Sequence, residues 1–476
     1  MKRVTTGSLL IAAAVLAYLG FGTPGSRDAV SASQAAFAPE GIKPDVFSTA
    51  KFEGVGSCSA VACHFKAGVP GTKGSEYTTW FNHDKHARAY EVLYNQRSQR
   101  MVKLLYGAKA KAAHETELCL KCHAMLVPEQ RRGERFSIED GIGCEQCHGP
   151  AEFWLDKHYS YRWLNEMSDR EKAAFGMRPL SNLLDRARLC VECHVGTEDK
   201  DVNHDLIAAG HPRLNFELAS YQAIMPRHWP EGNDLARYPD FEARCWAVGQ
   251  AACAEAALKL LAHRAVPSET KDKPWPEFAE YDCYACHHDL VEPSWRQKRG
   301  YGKGLPGAFP WGSWYTSMLP RALQGQAGAE DLFGLLGNIR GEMQKPLPNR
   351  GKIVASARQA AQHLQSALTS IEQAPPASAQ EVRRRLLEIV QKDETLAEKG
   401  WDEGAQLYLA IAALYRGMGN LDPKLQDPIL TQRIKNIVPD SNLVFPARRG
   451  LQYDSPRDYK PREFLRQLRL IESKLR

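Results

Sequence analysis

Cysteine pairs followed at once by a histidine recur along this chain. In GIGCEQCHGP, Cys144, Cys147 and His148 have the spacing at which two thiols can each add across one vinyl group of a haem while the adjoining histidine reaches the iron from below. The same arrangement stands at CLKCH (Cys119, Cys122, His123), CVECH (Cys190, Cys193, His194) and CYACH (Cys283, Cys286, His287). In a fifth stretch, CSAVACH, the pair is Cys58 and Cys63, followed by His64. A longer loop between the thiols still spans the ring. Zinc sites and redox disulfides also use cysteine pairs, but neither requires histidine after every second cysteine, nor a fivefold recurrence. The sequence therefore predicts five covalently attached haem c groups.

The remaining histidines decide what such groups can do. A second histidine on the iron gives a low-spin, low-potential centre suited to moving electrons, whereas an open sixth position admits a small substrate. His86 in WFNHDKHARAY stands at the head of a helical pattern, with His83 as its rival one turn earlier. His158 follows the third motif closely enough to fold back over a neighbouring site. His204 and His211, in VNHDLIAAGHPRLNFE, are seven residues apart and can share a helix face up to a bend at Pro212. These four are the expected distal ligands. His228 in MPRHWP and His263 in LLAHRA are reserves, His288 is constrained by its neighbour His287, and His363 reads as a surface residue.

Positioning ten cysteines and their histidines needs a frame. The chain has 476 residues, 43% of them hydrophobic, as in a soluble globular protein. Residues 1–22 carry Lys2 and Arg3 ahead of an apolar run and read as an export signal, with an uncleaved N-terminal membrane anchor as the alternative. Covalent haem is attached outside the cytoplasm, so the expected location is the periplasm. Residues 23–50 are a Ser/Ala/Gly/Pro tether, and residues 51–297 hold all five motifs, punctuated by Pro and Gly with short helical pieces and little strand alternation. FEARCWAVGQAACAEAALKLLAHRA, residues 241–265, reads as one long helix with apolar residues at helical spacing from Trp246 to Leu261, and its Cys245 and Cys253 stand too far apart along it for a disulfide. Residues 298–314 are a Gly/Pro/aromatic linker. Residues 315–476 lack cysteine and read as amphipathic helices near 314–343, 350–372, 379–397, 401–418 and 461–475, the third opened by a Ser378–Glu381 capping box. The predicted class is mainly α: a pentahaem cytochrome c domain with little regular sheet, then a helical bundle.

The formal charge of +6 does not argue for nucleic acid, because the basic residues form no aromatic-interleaved patch, and five haems would add about ten negative propionates.

CSAVACH, the DKHARAY segment, CLKCHA, GIGCEQCHGP with His158 beyond it, and CVECH together resemble the tetrahaem cytochrome c-554 family of nitrification over about residues 50–230. The resemblance implies a mostly helical fold, haems stacked in close pairs, mostly bis-histidine ligation with one haem that can be five-coordinate, and electron transfer as the task. His86 and His158 match the family's distal-ligand contexts. The fifth motif at Cys283, the insertion with His204 and His211, and the C-terminal region depart from the pattern.

Two functions follow as expectations. The first is an electron carrier between periplasmic or membrane-bound donor and acceptor proteins, with no acid-base catalytic residue. The second is an oxidoreductase acting on a small nitrogen or sulfur compound at one open haem, with Tyr221, Arg227 or His228 beside the iron. Pentahaem nitrite reductases are disfavoured because their active haem resembles CxxCK, and every motif here ends in histidine.

Overall fold

The computed structural model describes residues 45–267, 274–287, 307–445 and 458–476. The expected signal or anchor, the tether up to residue 44, His288 and the linker up to residue 306 lie outside them. Among the described residues there is no strand, only isolated bridges such as Phe52 with Arg132, and the mainly α class holds. No helix of the described residues is long and apolar enough to cross a membrane.

The motif-bearing half contains α1 (Glu76–His83), α2 (Gln96–Tyr106), α3 (Glu117–His123), α4 (Cys144–His148), α5 (Leu183–His194), α6 (His204–Ala209) and α7 (Leu218–Ile224). A long α8 (Phe241–Ala265) follows, then the short α9 (Cys283–Cys286). Beyond them come α10 (Ala329–Met343), α11 (Arg350–Gln373), α12 (Ala379–Lys392), α13 (Trp401–Leu421), α14 (Pro428–Asp440) and α15 (Pro461–Leu475).

Helical geometry explains the motifs. Residues i, i+3 and i+4 share a helix face, so Cys119, Cys122 and His123 on α3 project together, as do their counterparts on α4 and α5. The wider first pair would be splayed by about 140° on a helix. Accordingly Cys58 instead closes a 3-10 turn at Val55–Ser57, and Cys63 lies in the turns beyond it. Gly149, at φ 85°, ends α4 directly after His148, where a Cβ would meet the Gly176 carbonyl at 2.1 Å.

α8 has the span of its sequence pattern and is buried on almost every side. α5 and α7 pack on it from the motif-bearing half, and α11 and α13 from the C-terminal half. Its polar residues are answered: Arg244 by Asp240 and the Ile371 carbonyl, Gln250 by Gln406, Arg264 by Asp201 and Glu280. Cys245 and Cys253 are buried and not in a disulfide. One apolar core thus runs from Leu183 to Leu475, across the 298–314 stretch, while residues before it form small separate clusters such as Phe52, Met125 and Val127. The C-terminal helices follow their predicted spans, with the Ser378–Glu381 capping box in place. The first is broken at Gly325 and Gly328, both at positive φ, and α14 had no counterpart in the sequence reading.

Gly249 lets α8 approach α7, since a Cβ there would stand 2.6 Å from Leu218 Cβ. Gly249→Val is expected to lower the melting temperature. Overpacking a core costs ~1–3 kcal/mol, against at most ~1 kcal/mol gained by replacing a helical glycine. Unchanged melting would mean that the two helices part there freely.

Candidate metal centres

The ten motif cysteines, Cys58, Cys63, Cys119, Cys122, Cys144, Cys147, Cys190, Cys193, Cys283 and Cys286, line one cavity of about 2560 Å³. Ordinary ligand pockets hold ~300–1,000 Å³, so this space suits several large flat groups side by side.

Each motif histidine faces a second histidine across this cavity. The ring centroids of His64 and His158 are 5.9 Å apart, His86 and His194 6.0 Å, His148 and His228 6.1 Å, His123 and His211 6.4 Å, and His204 and His287 6.4 Å. An imidazole nitrogen binds a first-row metal at ~2.0–2.1 Å, so two rings sharing one metal along a line have centroids about 6 Å apart. All five separations fit an iron between the rings.

The ring nitrogens fit as well. A ligating histidine binds through one nitrogen and is held by a hydrogen bond from the other. Nδ1 of His123, His158 and His211 donates to the carbonyls of Ala89, Leu155 and Pro212, each at 2.8 Å. Nδ1 of His64 donates to Glu76 at 2.9 Å and that of His86 to Asp84 at 3.0 Å. Nε2 is thereby left as the nitrogen through which these five could hold a metal. Burial also holds rings in the neutral form that coordination requires: it drives His148 down to about 3 and His194 to about 4, and lowers His123, His211 and His228. At His86 burial acts downward, but the hydrogen bond and charge of Asp84 outweigh it and raise the ring.

Local structure sets each distal position. Asp84 accepts the His86 backbone N–H at 3.0 Å and so caps the turn that carries the ring. His204 opens α6, its N–H on Glu277 at 2.8 Å, while α6 ends before His211, whose preceding Gly210 carbonyl accepts the Arg97 Nε–H at 3.0 Å. The two histidines therefore serve different motifs. His228 lies in a loop held by buried Asp234, which accepts from Arg186 at 2.7 Å and from Trp229 Nε1 at 2.8 Å. Sequence reasoning placed His228 only among the reserves. Its one visible signal is the pair of prolines, Pro226 and Pro230, that restrict the loop.

The motifs also come together in twos. With the sites numbered in chain order from Cys58–His64 to Cys283–His287, the Cys58 and Cys144 side chains lie side by side, joining sites one and three, as do those of Cys122 and Cys193, joining sites two and four. Glu145, between the thiols of the third motif, reinforces the first contact. Its buried carboxylate accepts the backbone N–H groups of Glu53, Gly54 and Ala151 at 2.9, 2.7 and 2.7 Å, tying α4 to the segment that leads into the first motif.

Other histidines stand apart from these pairs. His83 ends α1 exposed, His114 stacks on Tyr94 at 4.1 Å, and His263 lies 3.3 Å from Glu198.

No curated protein and no solved structure matches the chain. Residues 57–149, from the edge of the first motif to the end of the third, match the family model of cytochrome c554 and c-prime, a narrower span than the 50–230 over which the motifs are similar. On that match the chain resembles the cytochrome c-554 family: a c-type cytochrome of the electron-transferring kind with covalently bound haem c.

Proposed function

We propose that the chain is an exported multihaem cytochrome that carries electrons between a donor and an acceptor protein of the periplasm or its bounding membrane, through five haems each held between two histidines. The observation that carries this reading is the pairing of every motif histidine with a second imidazole at 5.9–6.4 Å. Bound haem supplies a one-electron iron couple. The protein's part is to fix position and environment. The cysteines would set each ring's place, and the nearness of motif one to three and of two to four brings those sites to short range. A metal held between each pair would be bound by both imidazoles, which would leave no position for a substrate and suit it to passing electrons. Export rests on Lys2, Arg3 and the apolar run after them, with an N-terminal anchor as the membrane-bound form of the same reading. The oxidoreductase reading needs an open iron, and His228, its candidate residue, faces His148 instead.

Two measurements test the proposal. The intact mass of the mature protein is expected to show five haem additions; four or fewer would remove the assignment at Cys58 and Cys63. The oxidised protein is expected to give only low-spin electron paramagnetic resonance signals, with no response of the reduced form to nitric oxide. A high-spin signal that responds would transfer support to the oxidoreductase.

A further inference from the structure

Resting on the five-haem reading, we propose that Glu76 and Asp84 are positioning residues that make one iron site of each close pair the stronger reductant, so that electrons run from site one to site three and from site four to site two.

The pairs are those whose motifs adjoin: the first, whose leading Glu53 and Gly54 N–H groups donate to Glu145 of the third, and the second, whose His123 donates to the Ala89 carbonyl three residues beyond His86 of the fourth site. Each joins two unlike sites. At site one, His64 Nδ1 donates to the Glu76 carboxylate at 2.9 Å, whose other oxygen accepts the Gly74 N–H at 2.9 Å. At its neighbour, site three, Nδ1 of His228 is buried without a partner. The guanidinium of buried Arg178 lies against that motif, donating to the Gln146 carbonyl at 2.6 Å, while the motif's own carboxylate, Glu145, is taken up by three backbone N–H groups and accepts from neither ring. The second pair repeats the asymmetry. At site four, His86 Nδ1 donates to Asp84, which is 6% exposed, at 3.0 Å. At site two, the acceptors for His123 and His211 are the neutral carbonyls of Ala89 and Pro212.

A carboxylate that accepts the Nδ1 proton makes the imidazole a stronger donor and places a negative charge near the metal. Both effects favour the oxidised iron. A carbonyl does this weakly, and a buried cation does the reverse. The transfer balances within a pair: one iron is oxidised by one electron, its neighbour is reduced by the same electron, and no proton or outside reactant is needed.

Asp84→Asn and Glu76→Gln keep an acceptor oxygen for the histidine while removing the charge, so each separates charge from geometry. In the holoprotein, a potentiometric titration followed by electron paramagnetic resonance reads each low-spin signal. Those of sites one and four are identified by which signal changes on replacing His64 or His86. Asp84→Asn is expected to raise the reduced-to-oxidised ratio of site four about tenfold at fixed potential, equivalent to ~59 mV for one electron. A smaller shift of the same sign is expected at site three, because Asp84 also acts on His228. Glu76→Gln should do the same to site one, again with a smaller shift at site three, because Glu76 also acts on His228. With five haems intact, no shift, or an equal shift at every site, would overturn the proposal. Should Asp84→Asn lose haem, the half-buried Glu76 position decides alone, and a Glu76→Gln protein with an unmoved site one overturns it. A wild-type haem count below five would instead defeat the five-haem reading and leave the potentials of the surviving sites to be read separately.

Discussion

His228→Ala is expected to turn one of the five low-spin signals into a high-spin signal, about a fifth of the iron, that binds nitric oxide when reduced. The reason lies in how rigidly the ring is presented. Pro226 and Pro230 bracket it, Trp229 donates to Asp234 at 2.8 Å, and Arg186 joins the same carboxylate at 2.7 Å while lying over the Trp229 ring at 5.2 Å. With the loop so fixed, no other side chain swings in to replace the lost imidazole opposite His148. Arg186→Ala should produce a partial version of the same signal together with a loss of stability, since breaking a buried ion pair costs ~3–5 kcal/mol. His114→Ala, which removes a ring stacked on Tyr94 away from the five pairs, should leave every signal in place. If His228→Ala retains five low-spin centres and ignores nitric oxide, the facing rings are not axial pairs.

A chain ended at residue 314 is expected not to accumulate as a soluble haem protein. The removed residues include Ile353, Leu364, Leu368, Ile371, Leu407 and Leu414, all buried in the core shared with α8. At ~1.5–3 kcal/mol for each such side chain, these alone match or exceed a typical net stability of ~5–15 kcal/mol. Truncation also strands polar groups. Arg244 loses the Ile371 carbonyl at 2.6 Å, Gln250 loses Gln406 at 3.0 Å, and Arg213, beside Cys283, loses Asp402 at 2.5 Å. Yield, haem absorbance and sedimentation of the truncated chain test this. A monodisperse product with a full haem complement and unaltered melting would show that the C-terminal helices are an independent module.

Much of this was legible in the sequence because the chemistry is local. A thiol pair and the next histidine occupy one helical turn, so each motif announces its own geometry. The contexts of His86, His158, His204 and His211 point to a distal role, and each stands opposite a motif histidine. What escaped depends on distant partners. His228 sits in an irregular loop whose fixing residues, Arg186 and Asp234, are 48 positions apart. The nearness of Cys58 to Cys144 and of Cys122 to Cys193 joins motifs that no local pattern connects. The all-round burial of α8 is hidden for a different reason. Periodicity reports one apolar face, whereas Glu242, Arg244 and Gln250 look like a solvated one until their partners on other helices are known. α14, with Pro439 inside it, carries a residue that argues against helix by itself.

The division of the interior into small early clusters and one late core bears on how the protein is made. Residues 47–177 pack locally, as in the groups around Phe52, Tyr90 and Trp154, and can begin to settle while the rest of the chain is still being synthesised or threaded through a membrane. α5, bearing Cys190 and Cys193, rests on α8, and α8 is covered only when α11 and α13 arrive. The first site, with both His64 and His158 in that stretch, can thus settle in step with synthesis, whereas the second and third await His211 and His228, and the fourth and fifth become permanent only after the last third of the polypeptide has emerged. A stalled or prematurely terminated chain would carry its cofactors at the front and nothing at the back.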